Sequence, residues 1–106
     1  MSGSKIITRA RDRLDNVHPG DVLREDFLIG SEIPLEEVAA GAGIASEQLR
    51  ALLDRELAVD ADIDLRLGRY FGMSEGFFLR LQNSYDLEEF RRAHGEELDR
   101  IVPRAA

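Results

Sequence analysis

The sequence predicts an all-α protein with five core helices and a C-terminal helical extension. Apolar residues recur at spacings of three and four in several segments, which is the pattern of amphipathic helices. Glycine and helix-capping residues separate those segments, and no alternating strand pattern of useful length competes with them. At 106 residues, with 43% hydrophobic and 33% charged residues, the chain is expected to form one folded domain.

The composition divides the chain into three parts. Residues 1–16 are polar and weakly periodic and carry Lys5, Arg9, Arg11 and Arg13, so a flexible N-terminal arm is expected. Residues 17–93 contain the periodic segments and form the predicted domain, including a long fifth helix. Residues 94–106 are expected to form a tail, for which a short helix over 96–102, ending before Pro103, is one option.

The first helix is predicted over Asp21–Leu28, where Leu23 and Phe27 share one face. His18 precedes it and is expected to cap the helix or to pack at its start. Gly30 and Ser31 are expected to end it.

The second helix is predicted to start near Pro34, which suits the first helical position. Val38, Ala39 and Ala42 give this helix a thin apolar stripe. Gly43 follows, and its tolerance of positive φ suits a tight turn.

The third helix is predicted over about Ser46–Asp54, and four apolar residues should bury its inner side: Ile44, Leu49, Leu52 and Leu53. Asp60 is the expected N-cap of a fourth helix that ends at Gly72. Ser74 is the expected N-cap of the aromatic-rich fifth helix, which is predicted to reach about Ala93.

The second and third helices, joined by a glycine turn, have the outline of a helix-turn-helix motif. The outer side of the third helix is then the expected DNA-binding surface. Gln48 could read adenine, and an arginine could read guanine. The candidate DNA-binding residues are Ser46, Glu47, Gln48, Arg50 and Arg55. The alternative is a plain helical bundle, since any five-helix bundle contains two short helices joined by a glycine turn.

The charge distribution argues against a conventional nucleic-acid binder. The chain has a net charge of −7, and almost all of the acidity lies in residues 17–72, which include the helix-turn-helix segment. Proteins that bind nucleic acids usually present a basic face, because neutralisation of phosphates supplies much of their affinity.

Three blocks of the sequence resemble the HigA-type antitoxins, an Xre-like, lambda-repressor-like helix-turn-helix family. Val17–Leu28 reads VHPGDVLREDFL and is similar to the family's HPGEILREEFL. Leu65–Ser74 reads LRLGRYFGMS and is similar to LRLARFFGTS. Phe77–Leu87 reads FFLRLQNSYDL and is similar to FWLNLQNAYDL. The resemblance implies a dimeric antitoxin of a type II toxin–antitoxin pair, which neutralises a small basic HigB-type ribonuclease toxin and represses its own operon by binding double-stranded operator DNA.

The chain departs from the family pattern where DNA would be read. The family commonly begins its second helix with Ser-Gln, and this chain has Pro34 and Leu35 there. Ala45 stands where the family has a serine at the start of the third helix. Three interpretations remain: an unusual operator, DNA contacts shifted to Arg50, Arg55 and the basic arm, or weakened DNA binding. A stand-alone transcriptional regulator and a protein-interaction module are the alternative functions.

The fifth helix has too many apolar residues for a single stripe, so two of its sides are expected to be buried. One side would cover the core and the other a second subunit. The candidate dimer-interface residues are Phe77, Phe78, Leu81 and Tyr85. The alternative is that the C-terminal tail folds back over Phe78.

Other site types fit the sequence poorly. The chain has no cysteine, so disulfides, thiolate zinc sites and cysteine nucleophiles are excluded. Asp60, Asp62 and Asp64 resemble the start of a calcium loop, but the required glycine and glutamate are missing. Ser74 lies in a GxSxG pattern without the strand that a nucleophile elbow requires. No enzyme activity, cofactor, metal site or membrane segment is expected, and a cytoplasmic location is the default.

Overall fold

The computed structural model describes residues 15–105, and every regular element in that part of the chain is a helix. The first helix, α1, begins as an α-helical turn over Pro19–Val22 and continues as a π-helix over Leu23–Ile29. The others are α2 (Leu35–Ala42), α3 (Ser46–Leu53), α4 (Ala61–Phe71) and α5 (Phe77–Asp99). The predicted all-α fold is therefore confirmed, while most of the predicted N-terminal arm lies outside the described residues.

One hydrophobic core joins the five helices. Each helix contributes at least one fully buried apolar side chain, and these are Leu23, Val38, Leu49, Leu52, Ile63, Leu67 and Phe78. The expected inner sides of α2 and α3 are confirmed, because Ala39, Ala42, Ile44 and Leu53 are also buried. The periodicity of the sequence thus identified the buried sides of the two helices that form the candidate site.

Helix α1 begins two residues before its predicted start, because His18 and Asp21 cap it reciprocally. The Nδ1 atom of His18 accepts a hydrogen bond from the Gly20 N–H at 3.0 Å, and Asp21 Oδ2 accepts one from the His18 N–H at 2.9 Å. The expectation that His18 caps this helix is confirmed. Gly20 is buried directly against the carbonyl group of Leu52, and a Cβ atom there would clash with that carbonyl. The glycine thereby permits close packing of α1 against α3.

An aromatic cluster packs the π-helical part of α1 against the end of α4 and the start of α5. The ring of Phe27 lies 4.7 Å from that of Phe71, 5.6 Å from that of Phe78 and 6.2 Å from that of Phe77, measured between centroids. Phe27 therefore connects α1 to both α4 and α5.

The boundary between α4 and α5 matches the prediction except for the residue that serves as the N-cap of α5. Asp60 is the N-cap of α4, and Gly72 ends α4 with a φ of 73°, both as predicted. Ser74 is not the N-cap of α5, since Gly76 occupies that position with a φ of 91°. The prediction for Ser74 is wrong because a side chain from another helix satisfies the first N–H groups of α5.

That side chain is the carboxylate of Asp64 on α4. It accepts hydrogen bonds from the N–H groups of Gly76 at 2.7 Å, Phe78 at 2.8 Å and Leu79 at 3.0 Å. Asp64 is 1% exposed. Its position in the first turn of α4 is favourable by the helix dipole alone, but its main role is to cap α5 from a distance.

Helix α5 is interrupted by a kink close to the break that the sequence predicted before Gly95. His94 has non-helical backbone angles (φ −129°, ψ 22°), so the helix kinks there and then runs on to Asp99. The ring of His94 stacks on that of Phe90 at 4.3 Å, and its Nδ1 lies 3.1 Å from Glu97 Oε1. The kink coincides with the predicted end of the fifth helix near Ala93, and the helical residues beyond it match the predicted short segment from residue 96, which ends at Asp99 and not at 102.

We predict that Asp64→Asn lowers the free energy of unfolding by about 2–4 kcal/mol. The amide oxygen can replace one carboxylate oxygen, but the amide NH2 group would then face the Gly76 N–H, donor against donor. Urea unfolding followed by circular dichroism measures the change. The matched control is Asp62→Asn, two residues earlier on α4, where the side chain is exposed and pairs with Arg66. That variant should lose no more than about 1 kcal/mol, and an equal loss in both would contradict the role of Asp64.

We also predict that stability falls as the pH drops through the titration of His18. Burial lowers the pKa of His18 below its ordinary value, more than nearby Asp21 raises it. The folded state therefore binds fewer protons than the unfolded state, so this contribution is fully present above about pH 6.5 and is lost below it. Unfolding free energies measured between pH 8 and pH 5 should show this slope in the wild type and not in His18→Asn, which keeps a capping side chain. The exposed His94, changed to Asn, serves as the control and should retain the slope.

Candidate nucleic-acid interface

Helices α2 and α3 form a helix-turn-helix unit around Gly43. Gly43 has a φ of 71° and a ψ of 35°, as predicted for the tight turn, and its N–H donates to the Ala39 carbonyl. The next residue, Ile44, donates to the same carbonyl at 3.0 Å. Arg66 of α4 lies over the turn, with Nη1 3.3 Å from the Gly43 carbonyl oxygen. The end of α2 is therefore tied both to α3 and to α4.

The outer side of α3 carries four of the five candidate DNA-binding residues. Glu47, Gln48 and Arg50 are exposed, and Ser46 is half-buried at the first position of the helix. The opposite side is anchored by the buried Leu49, Leu52 and Leu53. Because those leucines fix the rotation of α3, the four polar residues share an accessible side on one short helix.

Glu36 of α2 binds two of these four residues. Its Oε1 atom accepts a hydrogen bond from Ser46 Oγ at 2.6 Å, and its Oε2 atom accepts one from Arg50 Nη2 at 2.7 Å. The hydrogen bond from Ser46 and the charge of Arg50 hold the pKa of Glu36 below its ordinary value. The only arginine within α3 is thus paired with a carboxylate.

The fifth candidate, Arg55, lies beyond the end of α3 and faces α1 instead. Its φ is 65°, and its Nη2 atom lies 2.6 Å from Asp21 Oδ2 and 3.4 Å from Asp15 Oδ2. Partial burial alone would raise the pKa of Asp21, but hydrogen bonds from Arg55 and from the His18 N–H outweigh that effect and lower it. Arg55 therefore joins the loop after α3 to the start of α1, which corrects its placement on the outer side of α3.

The N-terminal ends of α2 and α3 lack side-chain caps. Pro34 is the N-cap of α2 and Ala45 that of α3, and neither forms a side-chain hydrogen bond to its helix. The sequence predicted Pro34 at the first position of this helix, but Pro34 precedes the helix, which begins at Leu35. The N–H groups of the first turns keep the partial positive charge that favours anions.

The candidate dimer residues on α5 differ in how much surface they expose. Phe78 is 1% exposed and lies in the protomer's own core, so its assignment to a dimer interface is corrected. Phe77, Leu81 and Tyr85 are half-buried. The ring of Tyr85 packs edge-on against that of His18 at 4.8 Å. Two more exposed apolar side chains lie farther along the helix, Leu87 at 63% exposed and Phe90 at 53%.

Gln82 is a structural residue that the sequence analysis did not single out. It is buried, its Oε1 atom accepts a hydrogen bond from the Val59 N–H at 2.8 Å, and its Nε2 atom donates to Asp86 Oδ1 at 2.9 Å. It therefore attaches α5 to the loop that precedes α4. The signal for it lay in the block Phe77–Leu87, which was read only as a resemblance.

Across residues 15–105, no group of three or more histidine, aspartate or glutamate side chains could hold a metal ion. No helix in the same range is long and apolar enough to cross a membrane.

This chain has relatives both among curated proteins and among solved structures. No family model matches the chain. Virulence-associated protein I of Dichelobacter nodosus is 28% identical over 82 residues, which are 77% of this chain and 76% of that protein. Among solved structures, the Pseudomonas aeruginosa antitoxin HigA, determined with the higBA promoter, has a TM-score of 0.78 and 30% identity and covers 85% of this chain and 99% of its own.

A second solved structure is an addiction module antidote protein of a HigA family from Coxiella burnetii. It has a TM-score of 0.78 and 27% identity over 84% of this chain and 98% of its own. The similarity therefore spans the helix-turn-helix unit together with the helices that surround it. This chain belongs to the HigA family of antitoxins.

Proposed function

We propose that this antitoxin binds double-stranded operator DNA through the outer side of α3 and represses the operon that encodes it. The observation that carries the proposal is the α2–Gly43–α3 unit with Ser46, Glu47, Gln48 and Arg50 on its accessible side. It occurs in a chain whose fold matches that of a HigA protein solved with its promoter.

In this proposal α3 enters the major groove with its N-terminal end leading. Gln48 is the base-reading residue, because a glutamine side chain can donate to N7 and accept from N6 of adenine in one plane. The N–H groups at the N-terminal ends of α2 and α3, which no N-cap side chain binds, face the phosphates in this proposal, since helix N-termini favour anions. The basic residues of the arm, from Lys5 to Arg13, add positive charge, because on α3 the charge of Arg50 is balanced by that of Glu47.

The antitoxin acts as a homodimer that presents two copies of α3. Phe77, Leu81 and Tyr85 on α5 keep part of their surface accessible and are the proposed contacts. Twofold symmetry would separate the two copies of α3 by about 34 Å, which is one turn of the DNA helix.

The second partner is a small basic toxin of the HigB type. The net charge of −7 suits such a partner, because opposite potentials steer association and favour the correct complex. Both binding events would take place in the cytoplasm, where the operon and the newly made toxin are found. Direct binding, without any catalytic step by the antitoxin, is the proposed means of neutralisation.

We expect Gln48→Ala to weaken binding to the gene's own upstream DNA by roughly 5- to 150-fold, the discrimination that one bidentate base contact supplies. Binding to unrelated DNA of equal length should stay unchanged, because the phosphate contacts do not involve Gln48. Fluorescence anisotropy at several salt concentrations measures both affinities. The repressor role is wrong if the wild type binds upstream DNA no better than unrelated DNA at any salt concentration.

We expect co-expression of this chain to restore growth to cells that produce the toxin encoded beside its gene. A small, basic protein in the neighbouring reading frame is the partner to test, and a pull-down of the purified pair reports direct binding. Gln48→Ala should rescue growth as well as the wild type does, since α3 is proposed to contact DNA. Failure of rescue with every adjacent reading frame would favour a stand-alone regulator.

A further inference from the structure

We propose that Glu36 sets the strength with which α3 attracts DNA phosphates, by pairing with Arg50 and occupying the hydroxyl group of Ser46. The inference rests on the proposed function, since it concerns how the same surface binds DNA. It assigns a role to a residue of α2 that lies outside the set of candidate contacts on α3.

The geometry of the three side chains supports this role. One carboxylate binds both partners with separate oxygens, at 2.6 Å to Ser46 Oγ and 2.7 Å to Arg50 Nη2. The side chains of Arg50 and Glu36 are 57% and 64% exposed, and Ser46 is half-buried. A phosphate approaching α3 therefore meets an arginine whose charge is already balanced and a hydroxyl group that already has an acceptor.

Competition follows from the chemistry of these groups. A phosphate oxygen and a carboxylate oxygen are both acceptors for guanidinium N–H groups, so Arg50 must leave Glu36 before it can bind a phosphate with the same atoms. Glu36 also adds a negative charge beside the phosphates, which repels them over distances of up to about 10 Å at 0.1 M salt. Both effects weaken binding to all DNA sequences equally, because phosphates carry no sequence information.

As a consequence, base contacts contribute a larger share of the DNA affinity of this surface than they would without Glu36. When phosphate attraction is weak, unrelated DNA binds poorly, and occupancy depends on Gln48 and on the fit of the helix ends to the correct site. Glu36 thus offers a physical reason for an acidic DNA-reading unit: it reduces binding to the large excess of unrelated sequence.

The test compares Glu36→Gln with Glu37→Gln. Both variants remove one negative charge from adjacent exposed positions of α2, but only Glu36 pairs with Ser46 and Arg50. Glu36→Gln should tighten binding to unrelated DNA by about two- to fivefold at 0.1 M salt, the range of an exposed ion pair. The slope of log K against log salt concentration should steepen by about one, as for one added phosphate contact. Glu37→Gln should change both quantities less.

A combined variant distinguishes pairing from general charge. In a background that carries both Ser46→Ala and Arg50→Ala, which removes both partners of Glu36, Glu36→Gln should tighten binding no more than Glu37→Gln does. The inference is overturned if Glu36→Gln weakens binding, or if the two glutamate variants behave alike. In both cases specific binding by the wild type would leave the proposed function standing, whereas a wild type without specific binding would remove the proposed function and this inference together. Thermal unfolding of each variant verifies that all of them are folded.

Discussion

The arrangement of the helices depends on the capping of α5 by the carboxylate of Asp64. This carboxylate accepts three hydrogen bonds from the first turn of α5 and so fixes where that helix starts and which way it runs. Buried backbone N–H groups without partners are costly, so these hydrogen bonds favour the packing of α5 that keeps its first turn against Asp64. The direction of α5 then brings Phe78 into the core.

The effects of that constraint reach the candidate DNA-binding helix through a series of contacts. Farther along α5, Gln82 binds the Val59 N–H, and Tyr85 packs against the ring of His18. His18 caps α1, and α1 packs through Gly20 against the carbonyl of Leu52 in α3. Arg55 adds a second connection between the end of α3 and the start of α1. The position of α3 thus depends on its contacts with α1 and, through α1 and α5, on the junction between α4 and α5.

Local signals in the sequence predicted much of this fold. The spacing of the leucines in α3 identified its buried side, and Asp60, Gly43 and Gly72 marked boundaries that the structure confirms. Such features depend on a few neighbouring residues, because a helix period, an N-cap or a left-handed glycine acts within one or two turns. The predictions failed where a partner came from far along the chain. Ser74 has the side chain and the position of an N-cap, but Asp64, ten residues earlier, accepts the hydrogen bonds from the first N–H groups of α5 in its place.

In the candidate site, too, the features set by local sequence were predicted and those set by distant partners were not. Its scaffold and the exposure of Gln48 followed from the helical pattern, but the pairing of its charges did not. Arg50 finds its carboxylate 14 residues away on α2, and Arg55 finds one 34 residues away on α1. Neither separation corresponds to a repeating pattern that sequence analysis can detect.

The amino-acid sequence by itself therefore determined the class of fold, the family and the buried side of each helix in the motif, because hydrophobic periodicity and short blocks that resemble a family are local properties. Only the tertiary structure decided which charges on the DNA-reading side remain available. Ion pairing depends on distances of a few ångströms between helices, and those distances exist only after the core has formed.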